Sequence, residues 1–318
     1  MKLLIYGSKG WIGQQFISYL QKINKDKKEK IEKRENIENI ENIKIIEGKS
    51  RVNNLSSLKE EILSNSPDNI ITFIGRTHGK IDNKEYTTID YLEQNGKIYE
   101  NVRDNLFSPI SLALLCKELN IHYKLNIHYT YLGTGCIFNY KNEEEYGKEI
   151  NGFTENEEPN FFGSSYSVVK GFTDMLMHQL EENVLNLRIR MPINAEKSPR
   201  NFIYKITHYE KICSIPNSMT VLPDFFPIIL DLIENKKTGT LNLTNPGLIS
   251  HNEILEMYKE IVDPNFKWGN FSIEEQDKIL SSQRSNNYLC TTKLEKMYPD
   301  IKNIKESVRD ILIKYNRK

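Results

Sequence analysis

Short apolar runs alternate with longer amphipathic stretches through the first half of the chain. That rhythm predicts a parallel sheet with helices between its strands. Lys2–Tyr6 reads as a first strand and Ile12–Ile23 as a first helix. Ile43–Ile46, Ile70–Ile74 and Tyr129–Leu132 read as further strands, each followed by turn residues and a helical period. Phe161–Leu180 predicts a long helix, and Val184–Ile189 a strand after it. Past about residue 190 the rhythm loosens: proline, asparagine and aromatic residues rise, and helical stretches such as His251–Val262 and Ile273–Leu280 stand among irregular segments. The expected architecture is α/β, a doubly wound parallel sheet over residues 1–190. A smaller lobe over 191–318 is expected to close over a substrate, with some of its segments returning to the sheet.

Two stretches interrupt the pattern. Asn24–Asn42, dense in Lys, Glu, Asn and Ile, reads as a solvated low-complexity insertion in a surface connection rather than a docking arm. Asn120-Ile121-His122-Tyr123 is echoed by Asn126-Ile127-His128-Tyr129, and His122 and His128 read as loop or strand-flank residues rather than ligands.

Charge and cysteine content narrow the function classes. With 43 basic and 43 acidic side chains the formal charge is zero, so nothing draws the surface to nucleic acid or anionic lipid. Four widely separated cysteines, without a CxxC pair, read as reduced thiols of a cytoplasmic protein. The six histidines show no ligand spacing, so no bound metal is expected. There is neither a signal-peptide pattern nor a run of about 18 apolar residues, and a soluble intracellular chain is expected.

Gly7-Ser8-Lys9-Gly10-Trp11-Ile12-Gly13 follows the first strand and opens the first helix. Glycines there permit a tight turn and close approach of backbone to a pyrophosphate, while the helix N-terminus supplies amides and positive dipole. The spacing is GxxGxxG, and its position makes Gly7, Lys9, Gly10, Trp11, Ile12 and Gly13 candidate dinucleotide contacts. The end of the second strand chooses the cofactor. In Glu47-Gly48-Lys49-Ser50-Arg51, Ser50 and Arg51 favour the extra phosphate of NADPH, because a guanidinium grips phosphate by two parallel hydrogen bonds. Glu47 leaves NADH as the alternative.

Tyr166 and Lys170 stand four residues apart, on one face of a helix, in Ser164-Ser165-Tyr166-Ser167-Val168-Val169-Lys170. A phenol with a pKa near 10 is a poor acid–base catalyst at neutral pH unless a nearby ammonium stabilises phenolate. Upstream, a strand ends in Gly133-Thr134-Gly135-Cys136, where the Thr134 hydroxyl can reach that phenol.

The order GxxGxxG, strand-end Thr, then YxxxK resembles the extended short-chain dehydrogenase/reductases, whose fold is the NAD(P)-binding Rossmann type. More narrowly, the chain resembles the plant-type nucleotide-rhamnose synthases, bifunctional 3,5-epimerase/4-reductases related to dTDP-4-dehydrorhamnose reductase. The phrases that carry this are Thr134–Phe138, Arg188–Ile193, Pro199–Ile203, Ile215–Leu222, Thr244–Gly247, Ser250–Tyr258 and Arg284–Asn287. The resemblance implies a UDP-linked 4-keto-6-deoxyglucose as substrate, converted to UDP-L-rhamnose with NADPH. It implies Tyr166, Lys170 and Thr134 as the reducing set, and Cys136 and Lys205 as the epimerising pair. Met191 and Pro192 fall to the cofactor, and Asn105, Asn201, Arg284 and Asn286 to the active site and substrate.

One departure stands out. Where the family has Asn-Ala-Ala-Gly, this chain has Phe73-Ile74-Gly75-Arg76, which puts Gly75 and a bulkier Arg76 at the cofactor. The 4,6-dehydration that makes the substrate is expected of a separate protein, and a homodimer is an expectation too. Two other functions fit the same motifs. One is a 4-reductase alone, whose relatives carry an acidic residue at position 135 and no adjoining thiol. The other is a non-catalytic NADP-binding regulatory subunit, against which the intact Thr134, Tyr166 and Lys170 argue. Uracil and thymine differ by one methyl, worth about 1–3 kcal/mol, so the nucleotide base is only weakly constrained.

Overall fold

The computed structural model describes residues 1–32, 42–150 and 152–317. Its centre is a six-stranded, all-parallel sheet: β1 (Lys2–Tyr6), β2 (Lys44–Glu47), β3 (Asn69–Thr72), β4 (His128–Thr134), β5 (Val184–Ile189) and β6 (Gly239–Asn242), in the spatial order β6-β5-β4-β3-β1-β2. The buried strands read as near-continuous apolar runs because both faces are covered. On one face α1 (Trp11–Glu32) and a later helix, Leu222–Glu234, bury Phe16, Leu20, Phe225 and Ile229 against Leu3, Ile5 and Leu187. On the other face α2 (Leu55–Asn65), α3 (Ser108–Tyr123) and α4 (Ser165–His178) cover Leu4, Ile70, Tyr129 and Tyr131. A third core, with Ile203, Ile254, Val308 and Ile311, joins the short helix Phe202–Ile206 to the helices His251–Ile261 and Ile304–Asn316. The strand order reverses between β1 and β3, and ligands of such sheets bind in the crevice beyond the strand ends at that point.

Three sequence expectations shift. The first helix does not stop at Ile23: it runs to Glu32, into the stretch read as a solvated connection. Lys, Glu and Asp do not break a helix, and Lys25–Glu29 adds an i,i+4 pair. Asn24 meanwhile clamps β2, its side chain pairing with both the amide and the carbonyl of Ile43 at 3.0 and 2.8 Å. The remainder of the 24–42 insertion from 33 to 41 lies outside the described residues. The helix expected over Phe161–Leu180 begins at Ser165, where Ser164 caps it by accepting the Ser167 amide. His128 is a buried strand residue bonded to the Lys237 carbonyl at 2.6 Å, and His122 lies in the last turn of α3.

α4 is fastened to the sheet by a buried ion pair. Arg188 of β5, with no exposed side-chain surface, meets Asp174 through two nitrogens at 2.9 and 2.6 Å. Burial alone would raise the Asp174 pKa; hydrogen bonds from His178, Arg188 and Asn186 reverse that and hold it at about 2. Two charges at this depth are tolerable only because each satisfies the other.

Candidate active site

β1 delivers the chain into Gly7, which turns with φ +75°. A Cβ there would lie 2.8 Å from the Phe73 carbonyl carbon and 2.9 Å from the Ile74 nitrogen, so only glycine lets β1 and β3 approach this closely at the crevice. The Gly10 amide closes the turn on the Gly7 carbonyl at 3.0 Å. Gly13 seats α1 against the same carbonyl, which a Cβ would approach to 2.4 Å. The first turn of α1 therefore stands at the crevice with free amides. Lys9 is exposed beside it. Trp11 donates its indole NH to Glu196 at 2.8 Å and Ile12 packs on the core, so these two offer backbone rather than side chain.

Beyond β2, Glu47 is exposed, and Lys49, Ser50, Arg51, Asn53, Asn54 and Ser57 line an open hollow of about 500 Å³. Glu61 shapes it by accepting the Lys49 and Ser50 amides at 2.7 and 3.0 Å. The local charge on offer is basic, with serine and asparagine polar groups around it. The cradle and this hollow fit a phosphorylated dinucleotide.

At the end of β4, the Thr134 side chain stands close enough to the Tyr166 phenol to favour its ionised form. Tyr166 packs among Tyr91, Leu92 and Cys136, and burial, then the neighbouring thiol, pushes its pKa well above 10 while Thr134 pulls the other way. Lys170, one helical turn on, is buried and donates to the hydroxyl of Tyr131 on β4; burial brings its pKa down to about 8. The loop after β4 is locked to α4 by the Ser167 hydroxyl, which donates to the Cys136 carbonyl at 2.7 Å. Gly135 permits that loop: a Cβ would meet Leu289 at 2.5 Å and the Arg190 stem at 3.1 Å. A side chain at that position would have to displace Leu289.

Lys205 approaches from the short helix Phe202–Ile206. Its ammonium donates to the Thr87 carbonyl at 3.2 Å, one residue past Tyr86, which packs on the Tyr166–Cys136 cluster. Burial, then Arg200 and Arg284, lower its pKa to about 8. Burial, then Arg200, Arg76 and Lys205, hold His78 at about 4, so that imidazole is neutral. Arg284 pairs with Asp90 at 2.5 Å. Arg200 has a buried Nη1 without a hydrogen-bond partner among the described residues.

Other sequence candidates are placed differently. Asn105 is fully buried on a π-helical turn, Arg103–Phe107, and grips the Arg76 backbone: it accepts the amide at 2.9 Å and donates to the carbonyl at 2.8 Å. It thereby fixes the loop after β3, where Gly75 is exposed and the Arg76 guanidinium is held by Asp104 at 2.9 Å. Asn201 is fully buried; its amide donates to the carbonyls of Asn194 and Glu196, and it caps the helix carrying Lys205. Asn286 accepts from Asn217 at 2.8 Å, while its neighbours Ser285 and Asn287 bond Arg190 and the loop 135–138. Met191 follows β5 with φ +39°, a strained conformation for a residue with a Cβ, and Pro192 pairs with Thr220. Sequence reasoning missed Tyr131, His78 and Arg200. The first looks like any strand aromatic, His78 carries no motif, and Arg200 lies in the Pro199–Ile203 phrase without being singled out there.

The switch-point cradle and the Thr134–Tyr166–Lys170 set define a short-chain dehydrogenase/reductase. The chain is 50% identical, over 99% of its length and 98% of the relative's, to uncharacterized protein L780 of Acanthamoeba polyphaga mimivirus. The crystal structure described as the L780 UDP-rhamnose synthase of that virus superposes with a TM-score of 0.85 at 49% identity, covering 99% of both chains. An Arabidopsis thaliana bifunctional dTDP-4-dehydrorhamnose 3,5-epimerase/dTDP-4-dehydrorhamnose reductase is 38% identical over 99% of the chain and 93% of its own length. A Bacillus anthracis dTDP-4-dehydrorhamnose reductase in complex with NADP shares the fold, with a TM-score of 0.70 at 16% identity and 98% of both chains covered. No protein-family model matches the chain. The chain belongs to the nucleotide-rhamnose synthase family of epimerase/reductases. Among the described residues no helix is long and apolar enough to cross a membrane.

Proposed function

We propose that the chain converts UDP-4-keto-6-deoxy-D-glucose to UDP-L-rhamnose, inverting C3 and C5 and then reducing C4 with NADPH. The observation that carries this reading is Cys136 packed against the cluster that holds Tyr166, which brings a thiol fit for epimerisation beside a phenol fit for reduction. When bound, NADPH supplies hydride to C4; the residues supply everything else. The Gly7 cradle and the first turn of α1 hold the pyrophosphate, and Ser50 and Arg51 hold the 2′-phosphate. Arg200 takes the substrate diphosphate, which answers its unpartnered guanidinium nitrogen.

The 4-ketone makes the hydrogens at C3 and C5 acidic. Lys205, with a pKa of about 8, is present in both protonation states near neutral pH and can take or return a proton, with Cys136 as its counterpart. Tyr166 then delivers the proton to the C4 oxygen while Thr134 holds that oxygen and Lys170, one turn on along the same helix, supports the phenol. The chain is given UDP-4-keto-6-deoxyglucose and NADPH with no other protein; loss of NADPH absorbance with formation of UDP-L-rhamnose is expected. UDP-glucose in its place should give no turnover, because it carries no 4-ketone to acidify C3 and C5 or to accept hydride. If NADPH is consumed only after a 3,5-epimerase is added, the chain is a 4-reductase alone.

Arg51→Glu tests the cofactor assignment. The substitution places a carboxylate where the 2′-phosphate would lie, so KM for NADPH should rise by roughly 10- to 100-fold with little change for NADH. Parallel changes with both cofactors would place the 2′-phosphate elsewhere.

A further inference from the structure

We propose that Tyr131 is a positioning residue for Lys170, making the reducing unit a set of four, Thr134–Tyr166–Lys170–Tyr131. The inference rests on the reading of Lys170 as the support of Tyr166. Lys170 brings an ammonium to a place with only 4% exposure, on the helix face that packs against β4 and β5. Such a group needs an acceptor, and among the described residues its hydrogen bond goes to the Tyr131 hydroxyl.

Tyr131 suits a fixed acceptor. It is 1% exposed, in the core shared with Tyr129, Cys116 and Leu112, and burial holds its phenol protonated far above pH 10. It therefore accepts from the ammonium without taking over the acid role, which falls to the phenol that Thr134 can reach. Gly133 clears the space beside it: a Cβ there would touch the Tyr131 ring at 3.4 Å and Asn186 at 2.5 Å. Two of the three Lys170 N–H groups remain for Tyr166 and a cofactor hydroxyl.

The charged and titratable groups around Lys170 fix the sign of the pH effect. Its own helix contributes Tyr166 and Asp174; β4 and the loop beyond it contribute Tyr131 and Cys136; β5 contributes Arg188, which already binds Asp174. A hydrogen-bond acceptor on an ammonium favours its charged form, so removing the Tyr131 hydroxyl lowers a Lys170 pKa that already stands at about 8. Tyr166 loses its proton only at higher pH. The basic limb of reduction therefore belongs to Lys170 and moves to lower pH.

Tyr131→Phe retains the ring and its packing and removes one oxygen. Three measurements are made: kcat/KM against pH for reduction of pre-epimerised substrate, deuterium wash-in at C3 and C5, and the carbon-13 NMR titration of the Lys170 ε-carbon in cofactor-free protein. The lysine signal is assigned by its loss in Lys170→Arg. Expected are a roughly 10- to 100-fold fall in reduction, a basic limb and an NMR midpoint each lower by about one pH unit, and unchanged wash-in. An unchanged NMR midpoint, or equal loss of wash-in and reduction with a lowered Tm, overturns the proposal. A wild-type protein that fails to oxidise NADPH overturns the functional reading instead, and the cofactor-free titration still decides on Tyr131.

Discussion

Tyr166→Phe is expected to lower kcat for ketone reduction by roughly 10²–10⁴-fold, the loss typical of a removed general acid. The effect should be selective. The ring stays among Tyr91, Leu92 and Cys136, so packing is kept and only the proton donor goes. Deuterium wash-in at C3 and C5 should therefore persist, because that exchange needs the ketone and its bases but not the final proton transfer. Stopped-flow NADPH oxidation on pre-epimerised substrate, beside NMR of the wash-in, separates the two steps. A reduction rate within a few-fold of wild type would remove Tyr166 from the chemistry and leave Thr134 without a purpose at the end of β4.

Cys136→Ala should give the opposite split. Wash-in should fall by roughly 10²–10⁴-fold as an acid–base partner is lost, while reduction of an already epimerised keto sugar stays within a few-fold. The backbone of the loop does not depend on the thiol. The Cys136 amide donates to Thr134 Oγ1 at 3.1 Å and its carbonyl receives the Ser167 hydroxyl, so alanine should leave the reducing set in place. Equal loss of both activities would mean that the sulfur serves to pack Tyr166 rather than to move protons. Lys205→Met makes an independent comparison, since Lys205 stands on the helix Phe202–Ile206 and touches neither Thr134 nor Ser167 through its hydrogen bond.

Much of the site was legible because its chemistry follows local rules. Gly7 and Gly13 must be glycine where strand, turn and helix crowd together, and such crowding leaves a trace in the sequence. Tyr166 and Lys170 are one helical turn apart, so their shared face is a matter of spacing. The asparagines were harder to read. Asn201 and Asn105 sit in suggestive phrases, yet their side chains hold backbone, at a helix cap and on the loop after β3. Their polar groups had several candidate partners, and only the path of the chain selects one. Arg284 lay open to a diphosphate or a carboxylate, and the fold brings it to Asp90, almost two hundred positions earlier in the chain.

The sequence by itself determined the alternation of strands and helices, the glycine turn after β1 and the Tyr–Lys spacing, because each depends on neighbours within a few residues. Tertiary structure alone decided that Gly135 is confined by Leu289 and Arg190, that Lys205 reaches the Tyr166 side, and that Lys170 rests on Tyr131. Those outcomes turn on desolvation and on contacts between distant segments, and a buried ammonium finds its acceptor only once the sheet has formed around it.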